Sequence, residues 1–318
     1  MKIGNGLKIM QKVLLGMSVI NRPKTTEKCI QYILKSNYRD RLTLVAVDNN
    51  SNDETKEVLK KYEKDLDLII TNDFNVGVCF STNQYLTLRE PGQYCMKVDV
   101  DAWIITPDWI DIMVHVLENG FLIKELGLAQ HSIGYVLGRR PSFWLTPTRR
   151  EYYKSHRVIC TQIGKHYVEI VCADGIMWPW VMFHPEILNT IGYMNEAVNT
   201  DDIDFAPRAA ATKQLGCYIP DVVILQSAHE LGHPEWEEQQ HLQYAAYRKC
   251  WEQYIEGYWR SNYYERYQNF ETVYCGSRFL LGSITDPEYQ KMSDKNWEFM
   301  KNYKGEENER MGGRGNKE

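Results

Sequence analysis

The feature that most constrains this chain is the alternation, over its first hundred residues, of short apolar runs with amphipathic stretches. Val13 to Ile20 reads as a buried strand, Thr25 to Ser36 as a helix, Leu42 to Val47 as a strand and Asp53 to Tyr62 as a helix. Leu68 to Thr71 reads as a strand, the stretch around Ser81 to Leu88 as a helix, and Tyr94 to Val98 as a further strand. Such alternation implies a parallel sheet, because parallel neighbours need a long connection and a crossover helix supplies it. Open sheets of this kind bind ligands at the carboxyl ends of their strands. Each apolar run here ends in polar residues: Asn21-Arg22, Asp48-Asn49-Asn50, Asn72-Asp73 and Asp99-Val100-Asp101. The candidate chemistry is thus expected along one rim of the sheet.

Farther along the chain the periodicity is less regular. Pro107 opens a helix at its first turn, where a missing N–H costs nothing, and Ile110, Val114 and Leu117 form its apolar stripe. Between about 126 and 235, strands at Arg157 to Thr161, Tyr167 to Val171 and Val222 to Gln226 interleave with helices at Pro185 to Thr190 and Ile203 to Leu215. Beyond 240, Tyr244, Tyr247, Trp251, Tyr254 and Tyr258 recur at helical spacing, a stripe for packing on the core or, through residues 240–260, on a second copy in a homodimer. The Gly-, Glu-, Arg- and Lys-rich tail from Lys304 reads as disordered.

Composition then excludes several classes. At 318 residues, 43% hydrophobic and 25% charged, the chain can bury a core without staples. Its eight cysteines are scattered with no CxxC pair, which reads as buried reduced thiols. No apolar run approaches the roughly 18 residues of a membrane span, and Asn21-Arg22-Pro23 follows Val13–Ile20 where a signal peptide needs small residues. The expectation is a cytoplasmic protein. A net charge of −5 does not mark a nucleic-acid binder by composition, although a local basic face fits within it.

Asp99-Val100-Asp101 puts two carboxylates one residue apart at a strand end, where both reach one cation if the chain turns away. Hard oxygen ligands suit magnesium or manganese. An isolated Asp-x-Asp is more often a solvated loop, but its neighbours change its meaning. Ser18-Val19-Ile20-Asn21-Arg22-Pro23 follows the first strand and Val47-Asp48-Asn49-Asn50-Ser51-Asn52-Asp53 the second. Asn75-Val76-Gly77-Val78 with Asn83 follows the third, and Val98-Asp99-Val100-Asp101 with Pro107-Asp108-Trp109 the fourth. In this order the motifs resemble the nucleotide-sugar-binding half of family 2 glycosyltransferases with the GT-A fold. Downstream, Ile191-Gly192-Tyr193-Met194-Asn195-Glu196, Asp201-Asp202-Ile203-Asp204-Phe205 with Arg208, Gly216-Cys217-Tyr218-Ile219-Pro220, and His229 with Gly232 extend the resemblance, which covers residues 13–235. Asn195 and Asp201 stand where the family more often has aspartate and glutamate.

The resemblance implies an α/β, GT-A-like nucleotide-sugar-binding fold with a mostly parallel central sheet, followed by a helical, aromatic-rich C-terminal extension. Residues 1–235 form the transferase domain, with a donor half at 13–120 and an acceptor half at 121–235; 236–303 is the extension and 304–318 the tail. It implies an inverting transferase that moves a sugar from a nucleotide sugar, a UDP-sugar first, to an acceptor hydroxyl. Asn21, Arg22, Asp48, Asn75, Gly77 and Asp99 would contact the donor; Asp99, Asp101 and His229 would hold Mn2+ or Mg2+. Asp202, at the start of a helix whose positive end favours its ionised form, is the candidate base, and Asp201 the reserve. For Asp48 the structural alternative is a turn in which Asx side chains bond their own backbone.

Three other readings accompany this one. His229-Glu230-Leu231-Gly232-His233 matches HExxH, the zinc-peptidase pattern, but a strand ends two residues upstream, and Gly232 and Pro234 disfavour the helix it needs. A degenerate, catalytically inactive domain that binds a glycan or partner is the non-enzymatic alternative. Between 139 and 157 lie six Arg and Lys residues against one acid, interleaved with aromatics; Arg139, Arg140, Trp144, Arg149 and Arg150 read as an anion-contacting groove. A polyanionic acceptor follows from that groove, either a phosphorylated glycan or phage-type DNA with hydroxylated bases, against a solvated basic loop. Trp178 and Trp180 read either as a wall for stacking a sugar or as core.

Overall fold

The computed structural model describes residues 12–36, 38–73, 75–120, 132–139, 158–171, 179–194, 205–206, 209 and 213–226. Their framework is a sheet of ten strands. β1 (Val13–Val19), β2 (Leu42–Asp48), β3 (Leu68–Thr71), β4 (Cys95–Asp99) and β5 (Ala102–Ile104) come first. β6 (Ser132–Arg139), β7 (Val158–Ile163), β8 (His166–Val171), β9 (Trp180–Phe183) and β10 (Gln214–Gln226) follow. The spatial order is β3-β2-β1-β4-β9-β6-β10-β8-β7, with β5 pairing on β10.

β3, β2, β1 and β4 are mutually parallel. β9 runs against β4 and β6, which leaves β6 and its partner β10 pointing the same way as β4. The core is therefore α/β with a mostly parallel sheet, as the alternation of strand and helix requires.

Period-2 alternation in β1 divides the core in two. Val13, Leu15, Met17 and Val19 pack toward α1 (Pro23–Lys35), α2 (Asp53–Lys61) and α4 (Trp109–Asn119). Leu14 faces the opposite layer, with α3 (Val78–Leu86) and α5 (Pro185–Ile191). Sheet between two helical layers follows from strands that are apolar on both faces. α2 starts where Asn52 Oδ1 accepts from the Thr55 N–H at 3.1 Å, an N-cap with Asp53 and Glu54 behind it in the first turn. α4 starts at Trp109, two residues after Pro107, and no side chain caps it.

The second half of the sheet departs from the sequence-based expectation. β5, β6 and β9 were not foreseen, and Gln214 and Leu215, expected as the end of a helix from Ile203, begin β10 instead. Residues 205, 206 and 209 are helical. The strand expected at Val222–Gln226 is only the last part of β10. Its register against β6 shifts between Ile219 and Val223, across Pro220, whose missing N–H cannot serve a ladder. Thr106 braces this irregularity: its hydroxyl donates to the Asp221 carbonyl at 3.0 Å and accepts from the Val223 N–H at 2.8 Å.

Gly16, in mid-β1, lies directly against Tyr85 of α3. A Cβ placed there would stand 2.1 Å from Tyr85 Cδ2, in a ring that is wholly buried. Neither neighbour can yield, because Tyr85 fills the layer and β1 is paired on both sides. Gly16→Ala is expected to cost about 3 kcal/mol of stability, the upper range for overpacking, read as a lowered denaturant midpoint.

Candidate functional site

The strand order reverses at β1: β2 and β3 lie on one side of it and β4 on the other. At such a switch point, loops leaving adjacent strands diverge to opposite layers and open a crevice. Register levels the rim. Val19 pairs with Asp48 and Ser18 with Asp99, so the ends of β1, β2 and β4 stand side by side.

The loops after β1 and β2 are fastened together by side chains. Asn21 has φ of 45°, a left-handed conformation that asparagine tolerates better than most residues. Its Oδ1 accepts from the Asn52 N–H at 2.7 Å, and its own N–H donates to Ser51 Oγ at 3.3 Å. Asp48 is buried, and its Oδ1 accepts from the Ser51 N–H at 2.8 Å. The Asx-turn reading of Asp48 therefore holds for one oxygen. Oδ2 has no hydrogen-bond partner among the described residues, which leaves it able to accept from a ligand.

A ladder of amides carries this order to the loop after β3. Asn49 Nδ2 donates to Asn75 Oδ1 at 2.8 Å, while Asn49 Oδ1 accepts from the Val76 N–H at 2.9 Å and from Asn72 Nδ2 at 3.2 Å. Asn72 and Gln84 exchange two hydrogen bonds, of 3.0 and 2.8 Å. Asn75 Oδ1 also accepts from the Gly77 N–H, and Gly77, with φ of 83°, opens α3. Buried amides are costly unless paired, so each polar residue here fixes its neighbour's position.

Asp99 and Asp101 stand where β4 ends and the chain turns into β5. Each carboxylate faces a cation of this chain. Lys97 Nζ lies 2.7 Å from Asp99 Oδ1, with Lys97 5% exposed and Asp99 35%. Arg22 Nη1 lies 3.4 Å from Asp101 Oδ2, with the side chains 23% and 18% exposed. From β10, Gln226 Nε2 donates to Asp101 Oδ1 at 3.3 Å. The antiparallel pairing of Gln226 with Ala102 brings it there.

Cys29 of α1 is fully buried near this pair. Its thiol pKa is pushed up, first by burial and then by the negative charges of Asp101 and Asp99, so it stays protonated and is no soft ligand for a metal. The donor set at the rim is two carboxylates of hard oxygen. Among the described residues no group of three His, Cys, Asp or Glu side chains converges on one point. This set fits a divalent ion of the magnesium or manganese type that takes its remaining ligands from a diphosphate, water or another residue.

Asn21, Arg22, Asp48, Asn75, Gly77, Asp99 and Asp101, all named from sequence, thus share one rim. Arg139 ends β6, whose direction carries it to the same rim. Trp180 is a correction: it is wholly buried, edge-on to Trp109 at 5.5 Å, and its indole N–H donates to the Ala102 carbonyl, so it is core and not a wall for a sugar. Arg140, Trp144, Arg149, Arg150, Trp178, Asp201, Asp202 and His229 lie outside the described residues, as do the extension, the tail and the segment named for dimerisation. β10 stays extended through Gln226, three residues before His229.

Sequence reasoning missed Lys97 and Gln226. A signal for Lys97 existed: it stands two residues before Asp99 in the same strand, and strand period 2 puts both on one face.

Comparison with known proteins agrees with this geometry. Residues 15–164 match the family described as Glycosyl transferase family 2. The mannosyltransferase PcManGT from Pyrobaculum calidifontis, solved with GDP-Man and Mn2+, superposes with a TM-score of 0.52 at 19% identity, over 72% of this chain and 60% of that one. S. aureus TarS 1-349, solved with UDP-GlcNAc, gives 0.48 at 17% identity over 67% of this chain and 58% of that one. This chain therefore spans about three fifths of the length of these structures. No curated protein matches the sequence. The chain resembles family 2 glycosyltransferases over residues 15–164 and has the GT-A fold.

Asn49→Ala would strip the Val76 N–H and the Asn72 and Asn75 amides of their shared partner. A loss of about 2–3 kcal/mol is expected, read as a lower denaturant midpoint with unchanged slope.

Proposed function

We propose that this chain, whose residues 15–164 carry the glycosyl transferase family 2 pattern, moves a sugar from a nucleoside diphosphate donor to an acceptor hydroxyl with inversion. One observation carries the reading: four separate strand-end motifs meet at a single switch-point rim. Each supplies a different requirement of such a donor. Asp48 Oδ2, on a largely buried side chain, is an acceptor suited to an N–H of the base or a ribose hydroxyl. The loop of Asn75 and Gly77 walls the crevice beside it, and Arg22 offers a fork of donors matched to phosphate oxygens.

Asp101, with Asp99, would hold Mn2+ or Mg2+, and His229 is the third ligand in this reading. The chain leaves β10 at Gln226, whose amide touches Asp101. His229 follows after three residues, a reach of about 10 Å. The bound cation would neutralise the charge that develops on the departing diphosphate.

The acceptor oxygen attacks the anomeric carbon from the face opposite the leaving group. As the bond from that carbon to the diphosphate oxygen breaks, Asp202 takes the hydroxyl proton. A hydroxyl is a weak nucleophile until that proton leaves, which is why a carboxylate base is needed at all. Asp201 is the reserve base. A UDP-sugar is the first donor to test.

The decisive experiment is a thermal-shift panel of UDP- and GDP-sugars with Mn2+, followed by donor hydrolysis without acceptor. One donor is expected to stabilise the protein and to be hydrolysed slowly, and Asp101→Ala to lower that turnover by at least about a hundredfold. Stabilisation without any hydrolysis or transfer would favour the binding-only domain. Unchanged donor binding and turnover in Asp101→Ala would remove the site assignment.

For the acceptor, we propose a polyanion that meets the basic stretch beginning at Arg139 on the same rim. Mobility shift of DNA at two salt concentrations separates the cases: retardation that weakens with salt is expected of a DNA acceptor, and none at low salt removes DNA.

A further inference from the structure

The carboxylates of this rim already have counter-charges, and the two pairs are unlike. Lys97 sits inside β4, between β1 and β9, almost out of reach of water, and meets Asp99 at 2.7 Å. The strand holds the Lys97 ammonium in place beside Asp99. Arg22 instead stands on the loop at the start of α1, ahead of Pro23, and approaches Asp101 only to 3.4 Å, with the side chains 23% and 18% exposed. At that length it is the looser of the two ion pairs. Gln226 holds the other oxygen of Asp101 independently of Arg22.

Asp101 already faces a cation of this chain, so a divalent cation arriving alone competes with Arg22 for it. A diphosphate changes this balance, because its oxygens offer the Arg22 guanidinium a bidentate, doubly charge-assisted partner, which the 3.4 Å contact to one carboxylate oxygen is not. We propose that Arg22 is an exchangeable counter-ion: it neutralises Asp101 in the unliganded protein and transfers to the diphosphate when the donor enters. The divalent cation and the nucleotide then bind cooperatively. Lys97 stays on Asp99 throughout, and Gln226 keeps Asp101 oriented while Arg22 is away. This inference rests on the reading above that Asp101 holds the cation.

Coupling of this kind is reciprocal: whatever factor the nucleotide adds to metal affinity, the metal adds to nucleotide affinity. The test is a Mn2+ titration of the full chain, followed by electron paramagnetic resonance of free Mn2+, with and without UDP and, separately, GDP. Wild type is expected to bind Mn2+ weakly alone and more tightly with one of the nucleotides. Arg22→Gln is expected to bind Mn2+ alone roughly two- to fivefold more tightly, the scale on which one weak ion pair shifts an equilibrium, and to lose most of the tightening by nucleotide. Arg22→Lys keeps the charge and should stay at the wild-type affinity for Mn2+ alone, which separates charge from any general effect of substitution.

Equal affinity for Mn2+ alone in wild type and Arg22→Gln, with the same tightening by nucleotide, would overturn the exchange and leave the metal site standing. Wild type that binds no Mn2+ even with nucleotide, or Mn2+ binding unchanged in Asp101→Ala, would overturn the metal site and the exchange with it.

Discussion

The parallel register of β2, β1 and β4 is the constraint on which the rest depends. With Val19 opposite Asp48 and Ser18 opposite Asp99, three strands end at one level, and residues 29 and 81 apart in sequence become neighbours. Slipping one strand by a single residue would turn its polar end residue to the other face and send the apolar set into the wrong layer. Hydrophobic patterning on both faces therefore fixes the site as a by-product of fixing the core. The polar residues then fasten what the strands have aligned: Asn21 to Asn52 across β1 and β2, Asn49 to Asn75 and Val76 across β2 and β3, and Ser18 to Ser81 across the sheet to α3, at 2.7 Å.

This fastening means that the asparagine-rich loops satisfy buried backbone and shape the crevice at once. In Asp48-Asn49-Asn50-Ser51-Asn52 each residue has a separate local duty. Asp48 accepts from Ser51, Asn49 spans two loops, Asn50 takes φ of 61°, Ser51 bonds the β1 loop and Asn52 caps α2. Only one oxygen of Asp48 is left over. A turn role and a ligand role are thus not rivals here, since the turn is what aims the second oxygen outward from a rigid frame.

The donor half was legible because its strands are four to eight apolar residues long, bounded by Asn, Asp and Gly, and joined by amphipathic helices. The second half lacked those signals. β5 is three residues and β9 four, too short to show a period, and β9 lies between Pro179 and Pro185. β6 contains Gly134 and Gly138, which weaken any strand pattern; the structure shows Ile187 over the first and Ile224 over the second. Pro220 split β10 in two, so its opening residues were joined to the preceding helix and only the end from Val222 was seen as strand. At the site, Asp48, Asp99 and Asp101 were legible as polar strand ends. Gln226 was not, because only the return of β10 to pair with β5 brings it to Asp101. Trp180 was undecidable from sequence, since a large amphipathic ring suits a sugar wall and a core equally, and packing on Trp109 settles it.

The same logic links the donor rim to the segment that holds the proposed base. Asn83 of α3 is wholly buried, and its side chain donates to the Met194 carbonyl at 3.0 Å and accepts from the Met194 N–H at 2.9 Å. Met194 is thereby fixed to the helix that Gly77 opens. Eleven residues later, Phe205 is fully buried between Phe183 and Tyr135, at 5.2 and 5.9 Å. Asp201 and Asp202 lie between these two anchors, and Asp202 is three residues from Phe205, within about 10 Å of chain. Both anchors belong to the layer of α3 and α5. The stretch of sequence that contains the proposed base is therefore bounded at one end by α3 and at the other by the sheet.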